Sequence, residues 1–498
     1  MAGRSEFDVV IVGAGAAGCV MAARLCESGP RSVLLLEAGP DLRAETPDEI
    51  RDGWQITRDF DWGYTSEPNT RGNVQNLWRN KLLGGTSWVT RFALRGSPAD
   101  YDEWAALGNT GWGFENVLPY FRRLEADADF GGEPWHGDRG PMPVRRYLDL
   151  EYTEVGGAGL HALEEIGFPN VDDHNRPGAV GAGRVPMTSS GGTRVTTADA
   201  YLPSGATLPN LTIRPEMHVA EVVFEGSRAT GVRLLDGDVI QASWVVLCAG
   251  VYGSPPILMR SGIGPADHLR SVDVPARVNL PGVGANLADH PAVAIDCGYR
   301  GPGRTDPILH FIATFHSAAT PSEAAPDLML WSCDPTGPAD GPASLEIEVV
   351  LLKPHSRGRV RLRSADPGDS PHVELPSLSD PFDVERLADA YRRGLEVANN
   401  REIRRRCADP LPGPPRGVDE LLTLVRAEGY SLPHVVGTCA MGPRPEDGAV
   451  VDASGNVHGT EGLSVVDASI MPDVPSGFTH IPTIMIAERL SEEVASAL

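Results

Sequence analysis

The sequence predicts an α/β fold for the beginning of this chain, a parallel sheet with a helix packed against it, and three observations predict it. The run Phe7-Asp8-Val9-Val10-Ile11-Val12 is short, β-branched and closed by glycine, as a buried parallel strand is. It leads into Gly13-Ala14-Gly15-Ala16-Ala17-Gly18, a GxGxxG turn, and then into an apolar helix from Ala16 to about Glu27, which Gly29-Pro30 stops. A second apolar run, Val33-Leu34-Leu35-Leu36, ends at Glu37, nineteen residues beyond Gly18.

Each part of this unit has a physical role. Gly13 permits the tight turn, Gly15 lets the backbone approach a pyrophosphate, and Gly18 lets the helix pack closely on the strand. The first helical turn, Ala16 and Ala17, offers N–H groups and the positive end of the helix dipole to phosphates. Glu37, followed by Ala38 at the tip of the second strand, is placed to accept hydrogen bonds from a ribose 2′-OH. A bound dinucleotide is expected, and these forty residues leave NAD and FAD both open.

The chain has 498 residues, enough for a large buried core and, at about 150 residues per domain, for roughly three units. With 41% hydrophobic and 22% charged residues it is neither disordered nor fibrous. Forty-three basic residues against sixty-seven acidic ones give a formal charge of −24, which serves solubility and disfavours nucleic acid and anionic membranes as partners. The seven cysteines are scattered without a CxxC pair, so neither a disulfide framework nor a metal site is expected. That usage suits a reducing compartment. No apolar run is long enough to span a bilayer, and Glu6 and Asp8 make Val9–Ala23 a poor signal peptide. A cytoplasmic protein is expected.

Further motifs lie downstream. They are Leu83-Gly84-Gly85-Thr86-Ser87, the stretch Arg95 to Trp104, and the long run Ala249-Gly250 to Gly264. Leu280 to Leu287 and His434-Val435-Val436-Gly437-Thr438-Cys439-Ala440-Met441-Gly442 follow. In this order, from Asp8 to Leu490, they resemble the glucose–methanol–choline (GMC) family of flavin-dependent alcohol oxidoreductases. The resemblance implies an α/β and α+β architecture: a Rossmann-like FAD-binding domain of the glucose-oxidase type, and a discontinuous substrate domain built on an antiparallel sheet flanked by helices. Residues 1–150, 205–295 and 445–498 are assigned to the first, and 151–204 and 296–444 to the second.

The same resemblance implies the contacts with FAD. Gly84, Gly85, Thr86 and Ser87 would lie along the flavin, and the strand at His218-Val219 by the adenine. The strand Val245 to Gly250 would return Ala249 and Gly250 to the dinucleotide; Trp244 to Leu247 is itself a short apolar run closed by Ala-Gly, suited to close backbone approach. Two departures matter. Thr90 stands where the family usually has asparagine, which puts one contact near the flavin in doubt. Trp88 and Val89 occupy the region where some members attach FAD through histidine, so the flavin is expected to be non-covalent.

Alcohol oxidation needs a base for the hydroxyl proton, a path for the hydride to the flavin, and stabilisation of the charge left there. Histidine titrates in the right range. His434 begins a segment that resembles the family's HxxGTCxMG, and His480 lies in Ser476-Gly477-Phe478-Thr479-His480-Ile481-Pro482-Thr483, where the family has histidine or asparagine. The resemblance implies His434 as the base and His480 as the group that orients the hydroxyl and shares charge; which holds the proton is open at this point. His136, His310 and His316 are read as surface or core residues.

Pro482 is placed as a first-turn proline, and Ile486, Leu490 and Val494 recur on one face, so a helix starts here. With Ile481, Pro482 and Thr483 in its first turn, its N-terminus would stabilise an anionic flavin. Before it, Leu463 to Asp467 reads as a strand ending in an acid. The resemblance places Asp467 and Ala468 beside FAD; otherwise Asp467 is a turn residue capping Ser469-Ile470.

In the remainder, Leu309–His316, Asp327–Trp331 and Ser344–Leu352 read as strands, and Arg359–Arg363 alternates as a half-exposed strand. Ala318 to Pro326 reads as a surface loop, with a pocket border as the alternative, and Phe311, Phe315 and Trp331 as core residues, with an apolar pocket lining as the alternative. The expected partners are a small primary or secondary alcohol, such as a sugar or natural-product intermediate, and oxygen or another electron acceptor. A lyase that cleaves cyanohydrins, or a flavoprotein without turnover, are the rival readings. The paired histidines favour the oxidoreductase.

Overall fold

The structure, a computed structural model, describes residues 6–47, 59–69, 72–147, 153–204, 208–303, 309–333, 335, 337, 341–376, 378–408 and 415–498. The assigned boundaries at 150/151 and at 205 lie outside the described residues.

The first strand, Glu6–Val12, is the centre of a seven-stranded sheet. Val9, Val10 and Ile11 are wholly buried, which is why the run carries no polar alternation. Val9–Val12 pairs in parallel with Val33–Leu36 on one side and with Trp244–Leu247 on the other. Leu211–Arg214 adds beyond Val33–Leu36, and Leu463–Val465 pairs in parallel with Val245–Leu247. The turn at Gly13, the tip at Glu37, the bend at Cys248-Ala249 and the exit at Asp467 therefore leave the sheet side by side at the carboxyl ends of its parallel strands, where ligands of open α/β sheets bind. The sheet is mixed: the amino-terminal half of Val239–Leu247 pairs antiparallel with Arg228–Leu234, which pairs antiparallel with Val219–Glu225.

The helix Ala16–Glu27 packs on this sheet, and the last helix packs beside it. That last helix spans His480–Ala497, with Pro482 in its first turn as expected. Ile486, Leu490 and Val494 are buried at 0, 0 and 1% exposure on its inner face, as their spacing predicts. Buried Glu488 ties the two helices together, accepting from Arg24 Nε at 2.9 Å, Arg24 Nη2 at 2.8 Å and Arg123 Nε at 2.6 Å.

A second seven-stranded sheet is almost entirely antiparallel, in the order Tyr430–Ser431, Pro291–Asp296, Glu346–Leu351, Leu328–Cys333, Leu309–Phe315, Gly181–Arg184 and Asn170–Val171. The three runs read as strands are all in it, each with ends shifted by a residue or two. Its two faces follow the strand period of two. Val293, Phe311, Leu328, Leu330 and Val349 pack under the helices Glu154–Glu165, Pro381–Ala398 and Val418–Glu428. Ala292, Ile312, Met329, Trp331 and Val350 pack on the other face with Leu94 and Phe478. Arg359–Arg361 is a short strand paired with His372–Glu374, with Val360 buried and Arg359 exposed. Ala318 to Pro326 is a loop, exposed over most of its length. Among the described residues no helix is long and apolar enough to cross a membrane.

Candidate active site

A cavity of about 590 Å³ runs from the carboxyl ends of the parallel strands to the helix-free face of the second sheet at Trp331. Met217, His218 and Val219 line one part, and Trp331, Phe92, His434, Phe478 and His480 another. Between them lie Gly13, Gly15, Ala16, Ala17, Glu37, Ala38, Gly85, Thr86, Ser87, Thr90, Ala249 and Gly250. Of the residues singled out in the sequence, Gly18, Gly84, Ile481 and Pro482 do not line it. Gly18 shapes the turn instead, since a Cβ there would meet the Gly13 carbonyl oxygen at 1.9 Å. Gly84 donates its N–H to Ala14 O at 2.7 Å, while Ile481 and Pro482 are buried in the first turn of the last helix.

The glycine turn is built for an anionic ligand. Gly13 has φ +95°, and a Cβ on it would come within 2.6 Å of the Cys248 carbonyl oxygen. Gly15 faces open space: beyond its own chain neighbours, nothing lies within 4 Å of where its Cβ would be. Glu37 has a second task that the sequence did not show. Its carboxylate accepts from Ala14 N and Gly39 N, both at 2.9 Å, and so braces the turn. Each oxygen keeps a lone pair for a ribose hydroxyl. Burial pushes its carboxyl above the ordinary range.

Ser87 closes the neighbouring Gly84–Trp88 turn, donating to Gly84 O at 2.6 Å and accepting from Thr197 Oγ1 at 3.0 Å. Trp88 is buried with its Nε1 on Leu83 O at 2.8 Å, whereas Val89 and Thr90 face the cavity. Thr90 Oγ1 accepts from Phe92 N at 3.3 Å. Asp467 is the turn cap and also lines the cavity. Its Oδ1 caps Ser469 N at 2.8 Å, and its Oδ2 accepts from Gly250 N at 2.8 Å and Ser254 Oγ at 2.6 Å, fixing a bend that lines the cavity. These residues fit FAD: open space over Gly15 and Gly250, helical N–H groups at Ala16 and Ala17, and an acid at the ribose position.

His434 and His480 both line the apolar part of the cavity. His480 is buried, and neither ring nitrogen hydrogen-bonds among the described residues. Burial and the nearby Arg194 charge push its pKa down to about 4, with the Phe92 backbone offsetting a part. His434 stands edge-on to Phe478, ring centroids 4.8 Å apart. Burial, then His290, then Arg79 hold its pKa well below the ordinary histidine value. Burial thus disfavours the charged form of both rings.

Two residues here went unread. Ala288 pairs antiparallel with Val436, so two residues on, His290 comes opposite His434. Their Nδ1 atoms are 3.1 Å apart. Asp289 accepts from His434 N at 2.9 Å, His290 N at 2.8 Å and Ser431 Oγ at 2.8 Å, which clamps both backbones. The signal was close by, since Asp289-His290 directly follows the Leu280–Leu287 motif by two residues.

Trp331 holds both of the places open to it, packed in an apolar cluster and lining the cavity. It faces the cavity, in contact with Phe92 at 5.9 Å and Phe478 at 5.3 Å between centroids, because its strand position has the parity opposite to Leu328 and Leu330. Phe311 and Phe315 lie on the helix side, Phe315 against Phe168. His316 bonds Ala324 O, and the His310 side chain lies outside the described residues. His136 is buried in an ionic network with Glu125, Asp127 and Asp173. Glu125, Asp127 and His136 are close enough to hold a metal ion, but Arg95 and Arg146 already neutralise those carboxylates.

Comparison with known proteins agrees with this geometry. GMC oxidoreductase family models match residues 7–292 and 354–487. The chain is 36% identical to 5-(hydroxymethyl)furfural oxidase of Methylovorus sp. (strain MP688), over 98% of each chain. It is 34% identical to an oxygen-dependent choline dehydrogenase of Paraburkholderia phymatum, over 98% of this chain and 92% of the relative. Among solved structures it superposes on pyridoxine 4-oxidase of Mesorbium loti with a TM-score of 0.90 at 30% identity, covering 98% and 99% of the two chains. Glycine turn, paired histidines, two sheets and whole-length likeness all lead to one assignment: the chain belongs to the GMC family of FAD-dependent oxidoreductases.

Proposed function

We propose that the protein oxidises a primary or secondary alcohol to an aldehyde or ketone, with His434 as general base and His480 orienting the hydroxyl. The observation that carries this reading is the position of two buried, neutral histidines in the same cavity as the glycine cradle. A neutral imidazole can take a proton; an imidazolium cannot. FAD, held non-covalently by the residues named above, supplies the hydride acceptor.

The chain's own residues do the rest. His434 takes the hydroxyl proton as the hydride leaves the carbinol carbon, and His480 holds the oxygen. The start of the last helix, at Thr479, His480 and Thr483, lines the cavity and would stabilise negative charge on the bound flavin. Phe92, Trp331 and Phe478 form an aromatic wall beside His434, which favours a flat, ring-bearing alcohol over a sugar. The named activities of the furfural oxidase and pyridoxine 4-oxidase relatives support that preference. The proposed division is an FAD-binding domain of residues 1–150, 205–295 and 445–498, and a substrate domain of the remainder. Separate apolar cores under the two sheets support a two-domain division, but Pro291–Asp296 is a strand of the second sheet with Val293 and Ile295 in its core, so the boundary at 295 moves to before Pro291. Six described cysteines, all free, support a cytoplasmic setting.

The test is anaerobic flavin absorbance of the purified protein across aryl, furan, sugar and choline-type alcohols, followed by admission of air. Bleaching by ring-bearing alcohols is expected. Fast recovery in air marks oxygen as the acceptor, and slow recovery marks another. A bound, photoreducible flavin that no alcohol bleaches would overturn the reading.

A further inference from the structure

We propose that His290 is a positioning residue that fixes the tautomer of His434, so that the only basic nitrogen of His434 is Nε2. The inference rests on the role of His434 proposed above, and it follows from a chain of hydrogen bonds in which each partner's role is forced.

His290 is wholly buried, and its Nε2 lies 3.1 Å from the Pro475 carbonyl oxygen. A carbonyl only accepts, so His290 Nε2 carries a hydrogen. Burial pushes the His290 pKa down to about 4, so the ring is neutral and its Nδ1 is bare. That bare atom lies 3.1 Å from His434 Nδ1 and can only accept, which places the hydrogen of His434 on Nδ1. The one nitrogen left with a lone pair is His434 Nε2. Asp289 holds both backbones in register from below, with 2.9 and 2.8 Å bonds to His434 N and His290 N. His290 does not line the cavity, so it acts through His434 alone.

The same bond serves the step itself. The substrate hydroxyl proton moves to His434 Nε2, and the hydride with its two electrons leaves the carbinol carbon for FAD. His434 is then an imidazolium, and its Nδ1–H bond to His290 becomes charge-assisted, which is stronger than the neutral bond it replaces. His290 therefore stabilises the protonated base more than the free one. Other charged or titratable groups also face the pair. Arg79 lowers His434; Lys353 and Asp473 lie behind His290; Asp289 lies beneath both; Arg194 stands beside His480.

The test uses the purified holoenzyme and two variants. His290→Asn keeps an acceptor at the Nδ1 position, and His290→Leu removes it. The limiting rate of anaerobic flavin reduction is measured against pH with an alcohol that bleaches the parent. His290→Leu is expected to lose about a hundredfold and to move its pH profile, while His290→Asn recovers to within about tenfold of the parent. Equal loss in both variants, or a parental rate and profile in His290→Leu, would overturn the proposal. A second measurement needs no turnover: histidine ¹⁵N shifts of the oxidised parent, assigned with a His434→Gln variant. Nδ1–H on His434 is expected, and Nε2–H would overturn it. Because that readout is independent of any substrate, failure of this inference and failure of the alcohol-oxidation reading are separable.

Discussion

Replacing Asp467 with asparagine isolates one contact at the junction of sheet and cavity. In the parent, Oδ2 takes Gly250 N and Ser254 Oγ, and Oδ1 takes Ser469 N. Ser254 Oγ also accepts from Ala249 N at 3.1 Å, so the whole Ala249-Gly250 bend hangs from this one carboxylate. Asparagine keeps the shape and one oxygen. In its better orientation that oxygen retains Gly250 and Ser254, and the amide nitrogen is turned against the Ser469 N–H. One buried donor is orphaned, at a cost of about 1–3 kcal/mol. The site is only 3% exposed, so water does not relieve it.

The cost must appear in one of two places. If the bend stays ordered without FAD, Asp467→Asn lowers the urea stability of the apoprotein by that amount. If the bend relaxes without FAD, the apoprotein is unchanged and FAD binds about 5- to 150-fold more weakly. Apoprotein unfolding in urea and titration of apoprotein with FAD by flavin fluorescence together read the sum. Both quantities within about 0.3 kcal/mol of the parent, well inside the range expected for an orphaned donor, would refute the reasoning.

Four other outcomes are expected. His434→Ala should slow anaerobic flavin reduction by about a hundredfold or more while FAD stays bound, as followed by stopped-flow absorbance. Gly15→Leu should fold with parental stability, because Gly15 has φ −73° and no atom near its Cβ, yet purify without flavin because the side chain fills the cavity. Trp331→Ala should raise KM for ring-bearing alcohols about tenfold with a smaller effect on aliphatic ones, as steady-state kinetics would show. The fourth outcome concerns pH. Burial pushes His174 down to about 4, below its unfolded value, so its contribution is full above about pH 6.5 and is lost as pH falls toward 4. His174→Gln should therefore flatten the stability difference between pH 7 and pH 5 by about 2 kcal/mol in urea titrations.

Local chemistry explains which features could be read in advance. The strand at Val9–Val12, the GxGxxG turn and the acid at Glu37 are each set by neighbours within a few residues, and the structure places them as read. Trp331 could not be placed that way. It and Leu330 look alike in an apolar strand buried on both faces, and only the pairing of Leu328–Cys333 with its neighbours decides which side meets the cavity. His290 is a harder case, since its partner lies across the Ala288–Val436 pairing, with most of the second sheet between them in the chain. Glu37 shows a third limit: its place was legible, but its grip on Ala14 and Gly39 depends on side-chain direction.

The tie between the first and last helices also sets a schedule. The glycine turn and Glu37 are made first, while the wall at Thr479–Thr483 and the clamp of Glu488 on Arg24 are made more than 440 residues later. At a synthesis rate of about 5–20 residues per second, roughly 20–90 s separate the emergence of Glu37 from that of His480. Throughout that interval the nascent chain holds half a cofactor cradle with its apolar inner surface uncovered. Flavin uptake consequently waits until His480–Ala497 has been made, and deletion of that helix should yield a colourless protein however intact its opening motif.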